Sequence, residues 1–569
     1  MMRRSVCRPL ISLLLAIAPI LTSNRSSAQV QEPLPAPQTP HLIFSTYLGG
    51  SLACATCPGR TFAQNAASDA QGNTYVTGAT ESSTLPVLNA FQPKRAPHSG
   101  MTAFVAKYDP AGRLLWLTYL GGNKQTMGVG VAAMPDGGVA VGGMTSSDGS
   151  GEESFPTRNA FQDHNNGVSN YFVTVFDANG NLRYSTYLGG SGDDGSGFSD
   201  DNSNGNNLAV DAHGLVYVTG TTDSGGSNGG TKFPVTHNAL QSDLKGATDS
   251  FVSIIDPAKS GADSLIYGSF LGGSGNEKGH SIAVNAAGDH ITAAGYTDSD
   301  DFPTTPNAYR SHYAPGFTSN GFVAQFRSSR PGAPDSHYSA RYSTYLGGDS
   351  KKDRDDLYGM VMDANGLIVA TGRTQSADFP MTGSGTPFLF NSAPYLGHGE
   401  SNDQPYLVKI DPSLDGKASL VYSTFLGGGY KGYGSFCTSV GVDSRGKAYV
   451  GGETNAPGVL YTPFSPSSAV VLSPTYFPYT ADALITSLQG EEDVEFMQVT
   501  ADGKQLGYST YLGGTGTDRA YGLAVDPAGN VVVTGLTSSS NFPLKNPAQT
   551  WPGNNVENGF IAKFSFSSP

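Results

Sequence analysis

Residues 522–535 read Gly-Leu-Ala-Val-Asp-Pro-Ala-Gly-Asn-Val-Val-Val-Thr-Gly. Two short apolar, β-branched runs flank the turn Pro527-Ala528-Gly529-Asn530, whose Gly-Asn pair suits a tight hairpin. Working outward, a third extended segment begins at Phe560, beyond a polar loop, and the phrase Ser-Thr-Tyr-Leu-Gly-Gly stands upstream at 509–514. That phrase recurs at 45–50, 117–122, 185–190, 268–273, 343–348 and 423–428. A phrase ending in Thr-Gly or a close variant follows each copy, at 75–78, 139–142, 217–220, 291–295, 368–372, 449–452 and 532–535. A third landmark begins at an aromatic residue: Phe104, Phe172, Phe251, Phe322, Tyr406, Phe496 and Phe560. Seven of each makes seven units of four short strands.

The copies are out of phase with the chain. The outer-strand phrase comes first, at 42–50, and the seventh unit stops one strand short. A ring closed by the first strand joining the last unit accounts for both ends and hides the edges that an open array would expose. A linear β-solenoid would call for capping repeats instead of a split unit. The expected fold is therefore all-β: a seven-bladed β-propeller of four-stranded antiparallel blades over residues 41–569.

Composition narrows the partners. Of 569 residues, 33 are Lys or Arg and 47 Asp or Glu, giving a formal charge of −14 that argues against a nucleic-acid partner. The 28 Tyr and 28 Phe require burial, which excludes a solvated disordered chain. The 74 glycines show no period of three, so collagen is excluded. Arg3, Arg4 and Arg8 precede an apolar stretch at 10–21, and Ser26-Ser27-Ala28 offers small residues for cleavage. Residues 1–28 read as a secretory signal peptide and 29–40 as a Pro-rich linker. The apolar stretch is short of the ~20 residues that cross a bilayer, and no later segment reaches it. The expectation is an exported monomer, secreted, periplasmic or at the cell surface, without a membrane span.

The phrases Ser-Thr-Tyr-Leu-Gly-Gly, Ala-Val-Asp-x-x-Gly-Asn-x-x-Val-Thr-Gly, Phe-Pro and Phe-Val-Ala-Lys resemble the SBBP repeat (seven-bladed β-propeller) family of secreted bacterial proteins. The resemblance implies the fold and export, and it supplies no catalytic residues. Residues 524–530 also look like the NHL type of propeller blade, an analogy of architecture.

Residue types that recur in every unit read as structural. The paired glycines are expected to turn the chain from rim to axis with positive φ. Phe-Pro, at 155, 233, 302, 379 and 542 with Leu85-Pro86 in unit one, reads as a loop anchor whose ring packs between blades. Asp69, Asp211, Asp363, Asp443 and Asp526 are expected to accept backbone hydrogen bonds in the hairpin turn. Function then belongs where copies differ, on the face carrying the opening loops after Gly-Gly and the long loops between second and third strands.

Three candidate chemistries lie there. Asp200, Asn202 and Asn204, followed by Gly205, fit the start of a calcium loop, with Asp193, Asp194 and Asp201 near enough to complete the shell. Cys54 and Cys57 form a C-x-x-C that export favours as a local disulfide, leaving Cys437 free or paired with one of them. Glu277, Lys278 and His280 occupy nearly the same positions as Asp518, Arg519 and Tyr521; unit five offers Asp353, Arg354, Asp355, Asp356 and Tyr358. His280, Arg519 and Tyr521 with an acid at the channel mouth could abstract a proton from an acidic sugar. Sialidase boxes, phosphate loops, G-x-S-x-G and H-E-x-x-H are absent from the sequence. The first functional expectation is a non-enzymatic binding propeller recognising carbohydrate or a surface protein. The alternatives are an extracellular polysaccharide lyase or hydrolase, and a purely structural module.

Overall fold

The computed structural model describes residues 40–50, 59–96, 99–148, 153–195, 205–226, 230–312, 319–348, 354–376, 378–382, 403–427, 435–462, 476–553 and 556–566. Every main sheet has the same antiparallel order, first strand to fourth. In blade 1 the strands are Thr61–Ser68, Thr74–Thr80, Thr102–Tyr108 and Leu114–Leu120. Blade 7 contains Asp518–Val525, Val531–Thr537 and Asn558–Ser565, and its fourth strand is His41–Leu48 from the other end of the sequence. Tyr47 pairs with Phe560 and Leu42 with Phe564, so the ring closes as the split unit demands.

The hairpin turns follow the aspartate reading. Asp526 Oδ1 accepts the N–H groups of Ala528 and Asn530, and Gly529 sits at φ 81°. Asp69, Asp211, Asp363 and Asp443 make the same pair of bonds in their own turns. The short side chain caps the turn from within, and glycine supplies the left-handed residue it needs.

The paired glycines correct the expectation placed on them. Except for Gly427, at φ 86°, none of those described has positive φ. They are glycines because of crowding: a Cβ on Gly50 would lie 2.0 Å from Ser82 Oγ, and one on Gly122 would lie 2.5 Å from the backbone nitrogen of Phe155. The anchor loop of each blade is pressed onto the glycines that end the preceding blade's outer strand.

Cores form between neighbouring blades. Phe155 packs with Tyr75, Val105 and Trp116 of blade 1 and with Val141 and Phe172 of blade 2, as the loop-anchor reading requires. Phe477, followed by Pro478, does this work in blade 6, 4.4 Å from the Tyr511 ring. It belongs to a three-residue strand, Phe477–Tyr479, paired in parallel with Gly458–Leu460 inside the long loop. Blade 6 brings a second correction. The residue paired with the second-strand glycine is aromatic in six blades and Glu495 in the seventh, so Phe496 lies one place out of step.

The innermost strands carry a bulge just after the third residue in blades 1, 2, 4, 5 and 7, and just after the second, Cys437, in blade 6. The extra residue re-aims the side chains at the channel mouth. Among the described residues, no helix is long and apolar enough to cross a membrane.

Candidate functional site

The first residue of each innermost strand reaches the opening-loop face. It is Asp194, Glu277, Asp355 or Asp518 in blades 3, 4, 5 and 7 and Thr61 or Thr126 in blades 1 and 2, while in blade 6 Ser435, just ahead of the strand Phe436–Val442, takes the place. All of these side chains are buried. Asp518 Oδ2 accepts hydrogen bonds from Gly514 N (2.8 Å) and Ser539 Oγ (2.7 Å). Glu277 Oε2 takes Gly273 N at 2.9 Å, and its other oxygen takes the hydroxyls of Thr297 and Ser299. These carboxyls pin the Gly-Gly turn to the loop after the second strand. Burial pushes Glu277 up to about 7, and Asp194 and Asp355 up to about 6, because desolvation penalises the charged form. Glu277 and Asp518, the acids considered for catalysis, therefore occupy a structural position that recurs around the ring.

The next residue along the strand is where the blades part company. Phe62 packs with Tyr521 and Leu536, and Met127 packs with Met144, so blades 7, 1 and 2 share an apolar sector. Blades 4, 5 and 7 place Lys278, Asp356 and Arg519 at this position. Arg519 is held by two carboxylates, Glu453 at 3.1 Å and Glu492 at 2.6 Å. Those anions hold its guanidinium charged at any ordinary pH.

His280, the bulge residue of blade 4, is 5% exposed. Its Nδ1 lies 3.0 Å from the carbonyl oxygen of Leu357, and its ring stacks on Tyr358 at 5.4 Å and meets Tyr296 edge-on at 5.2 Å. His280 stands three blades from Arg519 and Tyr521, and Tyr521 is buried in the apolar sector. Past the bulges, the later halves of the innermost strands wall a space of about 370 Å³ on the axis, lined by residues such as Ala66, Val131, Ile282, Met360 and Leu523 and by none of these three.

What the fold does bring together lies at the junction of blades 4 and 5. A cleft of about 520 Å³ opens there, lined by Asn276, Lys278, Tyr296, Asp298, Ser319, Arg354 and Gln375. The Lys278 ammonium and the Arg354 guanidinium each lie 5.7 Å from the centre of the Tyr296 ring. Behind the cleft, Asp356 is fully buried and takes Arg354 Nε at 2.7 Å and Arg373 Nε at 3.0 Å. Arg373 reaches on to Asp403 at 3.2 Å and lies over the rings of Tyr358 and Phe436. Sequence reasoning had named Lys278, Arg354, Asp356 and Tyr358, but missed Tyr296, Arg373 and Gln375. The available signal was divergence at one register: Tyr296 and Arg373 pair with Lys278 and Asp356, where blades 1 and 2 have Ala79 and Met144.

Asp200, Asn202 and Asn204 of the calcium reading, and Cys54 and Cys57 of the disulfide reading, lie outside the described residues. Asp194 is already engaged, accepting from Gly190 N, Ser224 Oγ and Asn170 Nδ2. Cys437 is a free, buried thiol that donates to Glu495 Oε1 at 2.9 Å.

Residues 507–543 match the family model SBBP, described as a beta-propeller repeat. The chain carries an SBBP repeat. The matched SBBP stretch runs from the outer strand of blade 6 through the Phe542-Pro543 anchor of blade 7. No curated protein matches the sequence. Solved structures with similar chains include polysaccharide lyase Uly1 (8% identity, TM-score 0.40), over 93% of this chain and 99% of that one. Others are U3-55K (9%, TM-score 0.36, 82% and 91%) and the quinohemoprotein alcohol dehydrogenase from Comamonas testosteroni (12%, TM-score 0.34, 94% and 77%). Likenesses this distant carry no argument about ligand or chemistry.

Proposed function

We propose that the chain is an exported, non-enzymatic binding propeller whose ligand face is the opening-loop mouth over blades 4 and 5. One observation carries this reading. The charged and hydroxyl groups that recur around the ring are taken up in holding blades and loops together, whereas Lys278, Tyr296 and Arg354 border an open cleft. Clefts of a few hundred Å³ with an aromatic wall and a few convergent polar groups are where propellers and other rigid folds take ligands. The partner class is a carbohydrate or a carbohydrate-bearing surface, since a tyrosine ring beside neutral amides suits stacking and hydrogen bonding. A lyase would need acid, base and cation in reach of one another. Glu277 and Asp518 are instead buried in their loops, and Arg519 is neutralised by two glutamates.

The test is binding of the purified protein to a panel of extracellular polysaccharides, with Tyr296→Ala against Leu544→Ala, an exposed residue in blade 7. The expected result is a loss of about tenfold or more in Tyr296→Ala alone. Equal binding by both variants would place the ligand face elsewhere. Silence across the panel would favour a structural module.

A further inference from the structure

Building on that ligand face, we propose that the blade 4–5 cleft takes the acidic group of a saccharide, a carboxylate or sulfate, against Lys278 and Arg354. The hydrogen-bonding ledger of the cleft points to an anion. Among the described residues, Lys278 has no carboxylate within 4.0 Å and no hydrogen-bond acceptor; its one close partner is the Tyr296 ring. Arg354 gives Nε to Asp356, while its two terminal nitrogens have no acceptor among the described residues. The other polar side chains are already committed. Ser319 Oγ donates to Asp356 Oδ1 at 2.9 Å, and Gln375 Nε2 donates to Asp403 Oδ1 at 2.7 Å. Asp298, the carboxylate of the cleft, accepts from Asn276 Nδ2 at 2.8 Å and from the Asn276 N–H. Behind them Asp356 and Asp403 are matched by Arg354 and Arg373.

Donors therefore outnumber acceptors at the mouth, and they belong to cations. The terminal edge of a guanidinium fits a carboxylate or sulfate bidentately, and an ammonium beside it adds a point charge. The volume exceeds what a lone inorganic anion fills, and Tyr296 gives a pyranose ring an apolar wall. His280, edge-on to Tyr296, holds that wall in place.

The experiment is calorimetric titration of the full protein with oligogalacturonate, dextran sulfate and neutral dextran, at low and high salt. Lys278→Gln, Arg354→Gln and Tyr296→Ala are measured alongside, each first shown by melting to be folded. An acidic probe should bind, weaken with salt, and lose about tenfold in Lys278→Gln, with neutral dextran inert. Binding of either acidic probe in this pattern supports the inference, and their ratio names the acid. Neutral dextran bound as tightly, and lost in Tyr296→Ala, would overturn the acidic class while leaving the ligand face intact. Acidic binding untouched by all three substitutions would overturn both. No binding by any probe overturns the acidic class, and the ligand face then rests on the wider polysaccharide panel.

Discussion

Lys563 shows what one residue of the Phe-x-Ala-Lys phrase is for. Its Nζ lies 2.9 Å from Asp526 Oδ2, with the side chains 1% and 2% exposed, and it also donates to Gly72 O of blade 1 at 2.8 Å. It binds its own blade's turn to the next blade. Lys563→Gln should cost about 3–5 kcal/mol, because it leaves a buried carboxylate without its counter-ion. Blade 4 has solved the same position without charge: Asn285 Oδ1 caps the turn, and Gln325 donates to Thr292. Adding Asp526→Asn to Lys563→Gln should accordingly recover much of the loss in urea unfolding, and a strictly additive cycle would contradict the coupling. At this scale the sequence was legible where a residue acts locally, as with the turn aspartates. It was opaque where the cause lies across space. Gly50 gives no hint that Ser82 crowds it, and nothing in Glu495-Phe496 says which of the two faces the aromatic shell.

The element whose role was least visible is the outer strand. Its Ser-Thr-Tyr-Leu-Gly-Gly phrase announces a repeat, yet the tyrosine turns out to be a clamp. Tyr47 donates to Ser539 O at 2.7 Å and accepts from Phe542 N at 3.0 Å, holding the anchor loop at both edges. Tyr119 and Tyr345 do the same for Ser82 and Leu85, and for Ser299 and Phe302. Tyr47→Phe should destabilise by about 1–3 kcal/mol, since a buried N–H and carbonyl both lose their partner. Hydrogen exchange at the Phe542 amide should quicken with it; an unchanged rate would mean the loop is held by ring packing alone. The cleft belongs to this scale too. Lys278 and Arg354 were legible as divergent residues of neighbouring units, but Tyr296 sits at a second-strand position that is Ala79, Met144, Thr221, Arg373, Glu453 and Leu536 in the other blades, so variation there singles out no one residue. The parallel pair of three-residue strands in blade 6 had no period long enough to read.

Across the whole molecule, burial has raised a set of carboxyl groups in the same direction. Glu495 is pushed up to about 8, Glu277 and Asp493 to about 7, and Asp194 and Asp355 to about 6, desolvation being the largest cause in each. The folded ring keeps protons that the unfolded chain, titrating in the ordinary carboxylate range, has released. Stability should therefore fall as pH rises from about 5 to about 8 and level off beyond. Melting temperatures across that range check it, and Glu495→Gln should flatten the upper part of the curve; a rising or level profile would contradict the assignment. The seven-fold ring itself was readable from the split unit, because closure is a property of strand count and phase, whereas the charged arc over blades 4 to 7 depends on which neighbours meet. Thr46 and Gln549, which share a hydrogen bond, stand 503 residues apart, whereas every other blade pairs its outer strand within one unit. The pairing of His41–Leu48 with Asn558–Ser565, which joins His41 to Ser565, is more non-local still, and loop closure over such a span makes the clasp slow to form. Six blades can assemble while His41–Leu48 and the edge of Asn558–Ser565 still wait for each other, so the clasp is the step at which a folding intermediate would linger and at which two copies could exchange strands.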